Sequence, residues 1–141
     1  MRTFLLLIAL VFSAPAVSVA VDETPVSPSE FRDYAEGWTL YFERDGEVFG
    51  SESFSTGGDT RWRYNDGSCV RGAWRPHGAQ LCFLYEADEN QDREVLCWRV
   101  LRDKDGLIAR LLNGGENAGL ELRVVRRDKK PLLCGDPGTS T

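Results

Sequence analysis

From Trp38 onward the apolar residues recur at every second position, and all four tryptophans fall into the same alternating set. That set reads Trp38, Leu40, Phe42; Trp62, Tyr64; Val70, Gly72, Trp74; Leu81, Phe83, Tyr85; Leu96, Trp98, Val100; and Leu120, Leu122, Val124. The opposite set holds Arg61, Arg63, Arg71, Arg75, Arg99, Glu121 and Arg123. A period of two marks strands with one buried face. Burying a Trp or Phe is worth roughly 1.5–3 kcal/mol or more, whereas burying an unpaired Arg is prohibitive. The tryptophan face is therefore the inner one.

Turn signals cut this pattern into eight short strands, over 38–43, 48–54, 60–64, 69–75, 80–85, 94–101, 107–112 and 119–126. Asp45-Gly46, Gly57-Gly58-Asp59, Asn65-Asp66-Gly67, Pro76-His77-Gly78, an acidic stretch, Asp103–Gly106 and Asn113-Gly114-Gly115 link them. Regular spacing and short links predict an antiparallel meander, and eight strands can close and remove exposed edges. The expected class is all-β: a single meander barrel of about eight strands, with an open two-layer sandwich as the alternative. Ahead of it, Ser27-Pro28-Ser29-Glu30 reads as a capping box opening a helix over 28–35, which Phe31 and Tyr34 would pin to the body. Residues 21–26 read as a flexible lead-in.

The chain opens with Arg2, an apolar run from Phe4 to Phe12, and small residues Ser18 and Ala20. This is the pattern of a signal peptide over 1–20. The domain organisation expected is a leader (1–20), a barrel domain (21–130) and a tail (131–141). Net charge is −5, one unit more negative once the leader takes Arg2 with it. An acidic chain repels phosphate backbones and anionic lipid, so neither nucleic acid nor membrane insertion is expected.

Four cysteines in an exported chain predict two disulfides. A hairpin that sets Phe83 against Leu96 and Leu81 against Trp98 sets Cys82 directly against Cys97, about 4.5–5.5 Å apart at the β-carbons. That leaves Cys69 for Cys134, which ties the tail to the barrel wall. The rival, Cys69 with Cys82, needs a diagonal reach between strands. Closing the hairpin should contribute about 3 kcal/mol on the chain-entropy account.

Candidate chemistry is thin. Asp88, Asn90 and Asp92 match the first half of a calcium loop, but Arg93 stands where the sharp turn needs Gly and Arg99 where a bidentate Glu belongs. A solvated hairpin tip is the expectation there. No C-x-x-C occurs, and His77 is the single histidine, so no metal site and no cofactor are expected. His77 sits in a turn, and neither a G-x-S-x-G nor a singled-out carboxylate pair is present. No enzyme is expected.

What remains is an aromatic interior and a basic stripe. Trp38, Trp62, Trp74, Phe83 and Trp98 either simply fill the core, the more common outcome, or line a small pocket for which inward Ser51, Ser53 and Gly72 leave room. Outward Tyr41 would lie over Gly50. Arg61, Arg63, Arg71 and Arg75 share the outer face, either as a partner site or as a solvated face paired with nearby acids.

The stretches Phe49–Phe54 (FGSESF), Gly67–Trp74 (GSCVRGAW), Cys82–Tyr85 (CFLY) and Cys97-Trp98 resemble a pattern of small exported alphaproteobacterial proteins, over about residues 28–101. That group has no assigned activity, so the resemblance carries over no catalytic residue. More loosely the chain is similar to lipocalin- and avidin-like barrels, which bind small ligands. It is also similar in size and class to periplasmic inhibitors of lysozymes and metalloproteases, whose motifs it does not match. The expectation is a monomeric, periplasmic or secreted binding module for a small apolar or aromatic ligand. The alternative is a protein-binding inhibitor or envelope interaction protein.

Overall fold

The computed structural model describes residues 22–86 and 93–135. The expected leader, the stretch with Asp88, Asn90 and Asp92, and residues 136–141 lie outside the described residues. Nine strands and one helix follow in order: β1 (Thr24–Val26), α1 (Pro28–Ala35), β2 (Thr39–Arg44), β3 (Glu47–Phe54), β4 (Asp59–Tyr64), β5 (Cys69–His77), β6 (Gln80–Tyr85), β7 (Val95–Asp103), β8 (Gly106–Leu111) and β9 (Glu121–Asp128). Strands β2 to β9 pair antiparallel with their neighbours in sequence, and β9 returns to pair with β2. The result is a closed eight-stranded meander barrel, not a sandwich.

The lead-in is not free. Thr24, Pro25 and Val26 pair with Arg102, Leu101 and Val100 of β7, and Val26 is buried. The cause is a length mismatch. β7 has nine residues, but β6 covers only Val95–Trp98, so the rest of that edge would be bare. β1 covers it, and Pro25 is tolerated because an edge strand can spare a donor.

A second difference concerns β3. Glu52 stands opposite Leu40 and Trp62 and so points inward, while Ser51 faces Tyr41 and Arg63 and Ser53 faces Thr39 and Arg61. Both serines therefore lie on the outer face, contrary to the alternation expected of them. The reason is a bulge: Phe42 pairs with Gly50 and Glu43 with Val48, leaving Phe49 unpaired. An extra residue shifts the phase of a strand, so Phe49 and Glu52 both reach the interior. Tyr41 likewise does not cover Gly50. Trp62 does, from inside, where a Cβ on Gly50 would overlap its ring. Tyr41 instead packs outside under the Arg126 guanidinium, 3.6 Å from the ring centroid.

The helix forms where the capping box places it. Ser27 N donates to Glu30 Oε2 at 2.8 Å, and Glu30 N donates back to Ser27 Oγ at 3.3 Å. Buried Phe31 then enters one end of the barrel, edge-on to Phe54 and Trp74 at 5.4 and 5.7 Å. Trp74 stacks on Phe83 at 6.2 Å. That end, where the β3–β4, β5–β6 and β7–β8 turns lie, is filled.

Both expected disulfides are present. Cys82 and Cys97 are direct cross-strand partners with Cα atoms 4.0 Å apart, and Cys69 joins Cys134 at 5.6 Å. The tail is also held by hydrogen bonds from Thr39 Oγ1 to Lys130 O and from Arg63 Nε to Leu133 O, both 2.8 Å. It crosses the outer face of the barrel as a strap.

Candidate functional site

Among the described residues, nothing packs the barrel end opposite α1 shut. Its cavity of about 310 Å³ is lined by Phe49, Trp62, Tyr64, Val70, Tyr85, Leu96, Trp98, Leu111, Leu120 and Leu122, with Arg44 and Glu94 at the rim. These side chains come from the ends of β4, β6 and β8 and from the starts of β3, β5, β7 and β9. The bulge brings Phe49 in, edge-on to Trp62 at 5.8 Å.

Deeper inside lies a small void of about 50 Å³, bordered by apolar side chains and by one carboxyl, Glu52. Trp62, Tyr85, Trp98 and Leu122 border both spaces. Glu52 is 3% exposed. It accepts a 2.8 Å hydrogen bond from the Tyr85 hydroxyl. Tyr85 can reach that far because Gly72, its partner on β5, has no side chain, so the ring lies over bare backbone. The Thr60 hydroxyl stands beside the same carboxyl and favours its charged form, yet it is buried and makes no hydrogen bond of normal geometry. Burial outweighs both polar neighbours and pushes the Glu52 carboxyl up to about 7. The Tyr85 phenol is also pushed well up, first by burial and then by the charge of Glu52.

The sequence-predicted aromatic residues are spread over three places. Trp62 and Trp98 line both the mouth cavity and the void, and Phe83 borders the void. Trp74 sits in the filled end against Phe31. Trp38 is half-buried against the edge of the core beside α1, with Arg127 at 4.0 Å and Lys129 at 4.8 Å from its ring centroid. The expected ring of four tryptophans around one mouth therefore does not assemble.

The arginine stripe also divides. Arg61 and Arg71 are direct cross-strand partners and line an outer groove of about 1010 Å³ with Arg93, Lys129, Lys130, Asp59 and Glu86. Arg63 is committed to the tail strap, and Arg75 donates to Trp74 O at 2.7 Å. Among the described residues none of these four arginines forms an ion pair. His77 is exposed at the end of β5, paired with Gln80. Among the described residues no group of three or more His, Cys, Asp or Glu is placed to hold a metal ion.

Glu52 and Tyr85 are the residues that sequence reasoning missed as a polar pair. Glu52 was legible only as a carboxyl in a strand whose phase the bulge reverses.

Fold and cavity define a class: a small disulfide-linked, closed antiparallel β-barrel with a cavity at one end. Comparison with protein families, with curated proteins and with solved structures finds no match to this chain.

Proposed function

We propose that this protein is a non-enzymatic binding module, periplasmic or secreted, that holds a small apolar or aromatic ligand in the cavity at one end of its barrel. One observation carries the reading: an aromatic cavity of about 310 Å³ at one barrel end, while the other end is packed with rings. That volume lies at the low end of the range for small-molecule sites. Two disulfides suit an oxidising compartment. Among the described residues no helix is long and apolar enough to cross a membrane. The resemblance to small exported proteins and, loosely, to lipocalin-like barrels points the same way, with a leader over 1–20 and a monomer as the working form.

The test uses 1-naphthylmethanol, an uncharged aromatic probe. Its titration into the isotope-labelled protein should move the indole N–H signals of Trp62 and Trp98 saturably and leave those of Trp38 and Trp74 in place. Absence of saturable shifts, or equal shifts of all four, would remove the reading.

A second reading is favoured by the outer groove. Arg61 and Arg71 oppose each other directly, an arrangement that costs stability when no anion lies between them. An envelope protein with an acidic contact face would fit there. Charge reversal of Arg61 and Arg71 should abolish such an association without changing naphthylmethanol binding.

A further inference from the structure

Glu52 is costly where it stands. A side chain that merely filled the interior would be apolar, because burying a carboxyl without full hydrogen bonding destabilises the fold. An ionised carboxylate has about four acceptor positions, and the hydroxyl of Tyr85 occupies one. The Thr60 hydroxyl beside it is buried and also lacks a hydrogen-bond partner. The interior thus holds an incompletely satisfied acceptor facing a void of about 50 Å³, room for a group the size of a water or an ammonium. The wall residues Trp62, Tyr85 and Trp98 are shared with the larger mouth cavity. Aromatic faces next to a carboxylate form a cation site, because the ring quadrupole attracts positive charge and the carboxylate accepts its hydrogen bonds.

We infer that the barrel cavity selects ligands that join an aromatic or alkyl body to a protonated amine, with the body in the mouth and the ammonium against the Glu52 carboxylate. This rests on the binding reading above and adds the chemistry of the polar end. Among the described residues the titratable groups facing Glu52 are few. Tyr85 of β6 touches it, Tyr64 of β4 acts on Tyr85, and Arg44 and Glu94 stand at the rim. A carboxyl held near neutrality can bind an ammonium only once ionised, so recognition is coupled to pH.

The experiment compares three probes of one shape: 1-naphthylmethylamine, 1-naphthylmethanol and 1-naphthoate. At pH 8 the amine should bind about ten- to a hundredfold more tightly than the alcohol, the range for a charge-assisted hydrogen bond. At pH 5.5, where Glu52 is protonated and the amine still charged, that preference should collapse. Glu52→Gln should bring the amine to the level of the alcohol at both pH values. Tyr85→Phe should shift the pH midpoint upward, because the carboxylate loses its donor. An amine that binds no better than the alcohol in the native protein, or a preference that survives in Glu52→Gln, overturns the inference while the apolar cavity stands. If none of the three probes binds, the cavity reading itself falls and takes the inference with it. Should Glu52→Gln fail to fold, the collapse of the preference between pH 8 and 5.5 in the native protein still decides the question.

Discussion

The Tyr85 hydroxyl meets the Glu52 carboxyl at 2.8 Å although two strands, β4 and β5, separate β6 from β3. The contact exists because Gly72, the register partner of Tyr85 on one side and Thr60 on the other, offers no side chain to hold the ring away. A single absent Cβ thus connects opposite sides of one wall through the interior.

Replacing that glycine should break the connection. The backbone at Gly72 lies outside the left-handed region, so alanine fits locally, but its Cβ would overlap the Tyr85 ring and crowd Thr60 Oγ1. Gly72→Ala should cost about 1–3 kcal/mol, the usual cost of overpacking. Urea denaturation measures that cost. The Glu52 carboxyl should rise further once Tyr85 is displaced, which a carboxyl-specific NMR titration reads.

The stability of the protein should fall as pH rises through the weakly acid range. Glu52 has a folded value of about 7, above its unfolded value of about 4.3. The folded state therefore holds the proton more tightly, and this advantage is complete below the unfolded value and lost as pH climbs through about 7. The loss should approach about 3 kcal/mol between pH 5 and 8. In Glu52→Gln the slope should vanish. Asp103 acts in the opposite sense at lower pH: its hydrogen bond from Arg123 holds it down at about 2, so its contribution disappears only in strong acid. Denaturation curves from pH 2 to 8, with and without the substitution, separate the two carboxyls.

The two disulfides should differ in what their loss exposes. Cys69–Cys134 closes a separation of 65 residues and Cys82–Cys97 one of 15. On the chain-entropy account the first is worth about 4 kcal/mol and the second about 3. Cys69→Ser with Cys134→Ser should also free the strap, which hydrogen exchange would report at Lys130 and Leu133 while the barrel amides stay protected. The paired Ser variant at positions 82 and 97 should instead raise exchange within the β6–β7 hairpin.

Phe31 closes the filled end. Phe31→Ala should cost about 3–5 kcal/mol, as deletion of a buried aromatic side chain does. Ser27→Ala, which removes only the cap, should cost about 1 kcal/mol. Thermal unfolding of the two variants distinguishes the plug from the helix that carries it. A Phe31→Ala loss no larger than that of Ser27→Ala would show that the ring does not seal the barrel.

Much of this architecture could be read along the chain because it rests on local rules. The capping box at Ser27 and Glu30 is written in four consecutive residues. The Cys82–Cys97 pair follows from one hairpin whose flanking apolar residues must face the same way. The division of β4 into inward Trp62 and outward Arg61 and Arg63 is equally local. The errors share one cause: they arose where a neighbour, not the strand itself, sets the geometry. Unbroken alternation put Ser51 and Ser53 inside. The pairing of Phe42 with Gly50 and Glu43 with Val48 shows why that fails. The lead-in became a strand only because β6 stops short along β7.

By itself, then, the order of residues determined the eight strands of the barrel, the helix, the inner face of most strands and both disulfide partners. Each of these is the result of hydrophobic burial acting over a few neighbouring positions. Only the closed barrel decided which tryptophans share a cavity, since Trp38 and Trp74 have the same parity as Trp62 and Trp98 but lie toward the end that α1 fills. Only the closed barrel brought Glu52, Thr60 and Tyr85 together, because their meeting depends on register across four strands, a bulge at Phe49 and the missing side chain of Gly72. Alternation fixes the face on which a residue lies. Height within the barrel and the neighbours found there are settled by pairing between strands.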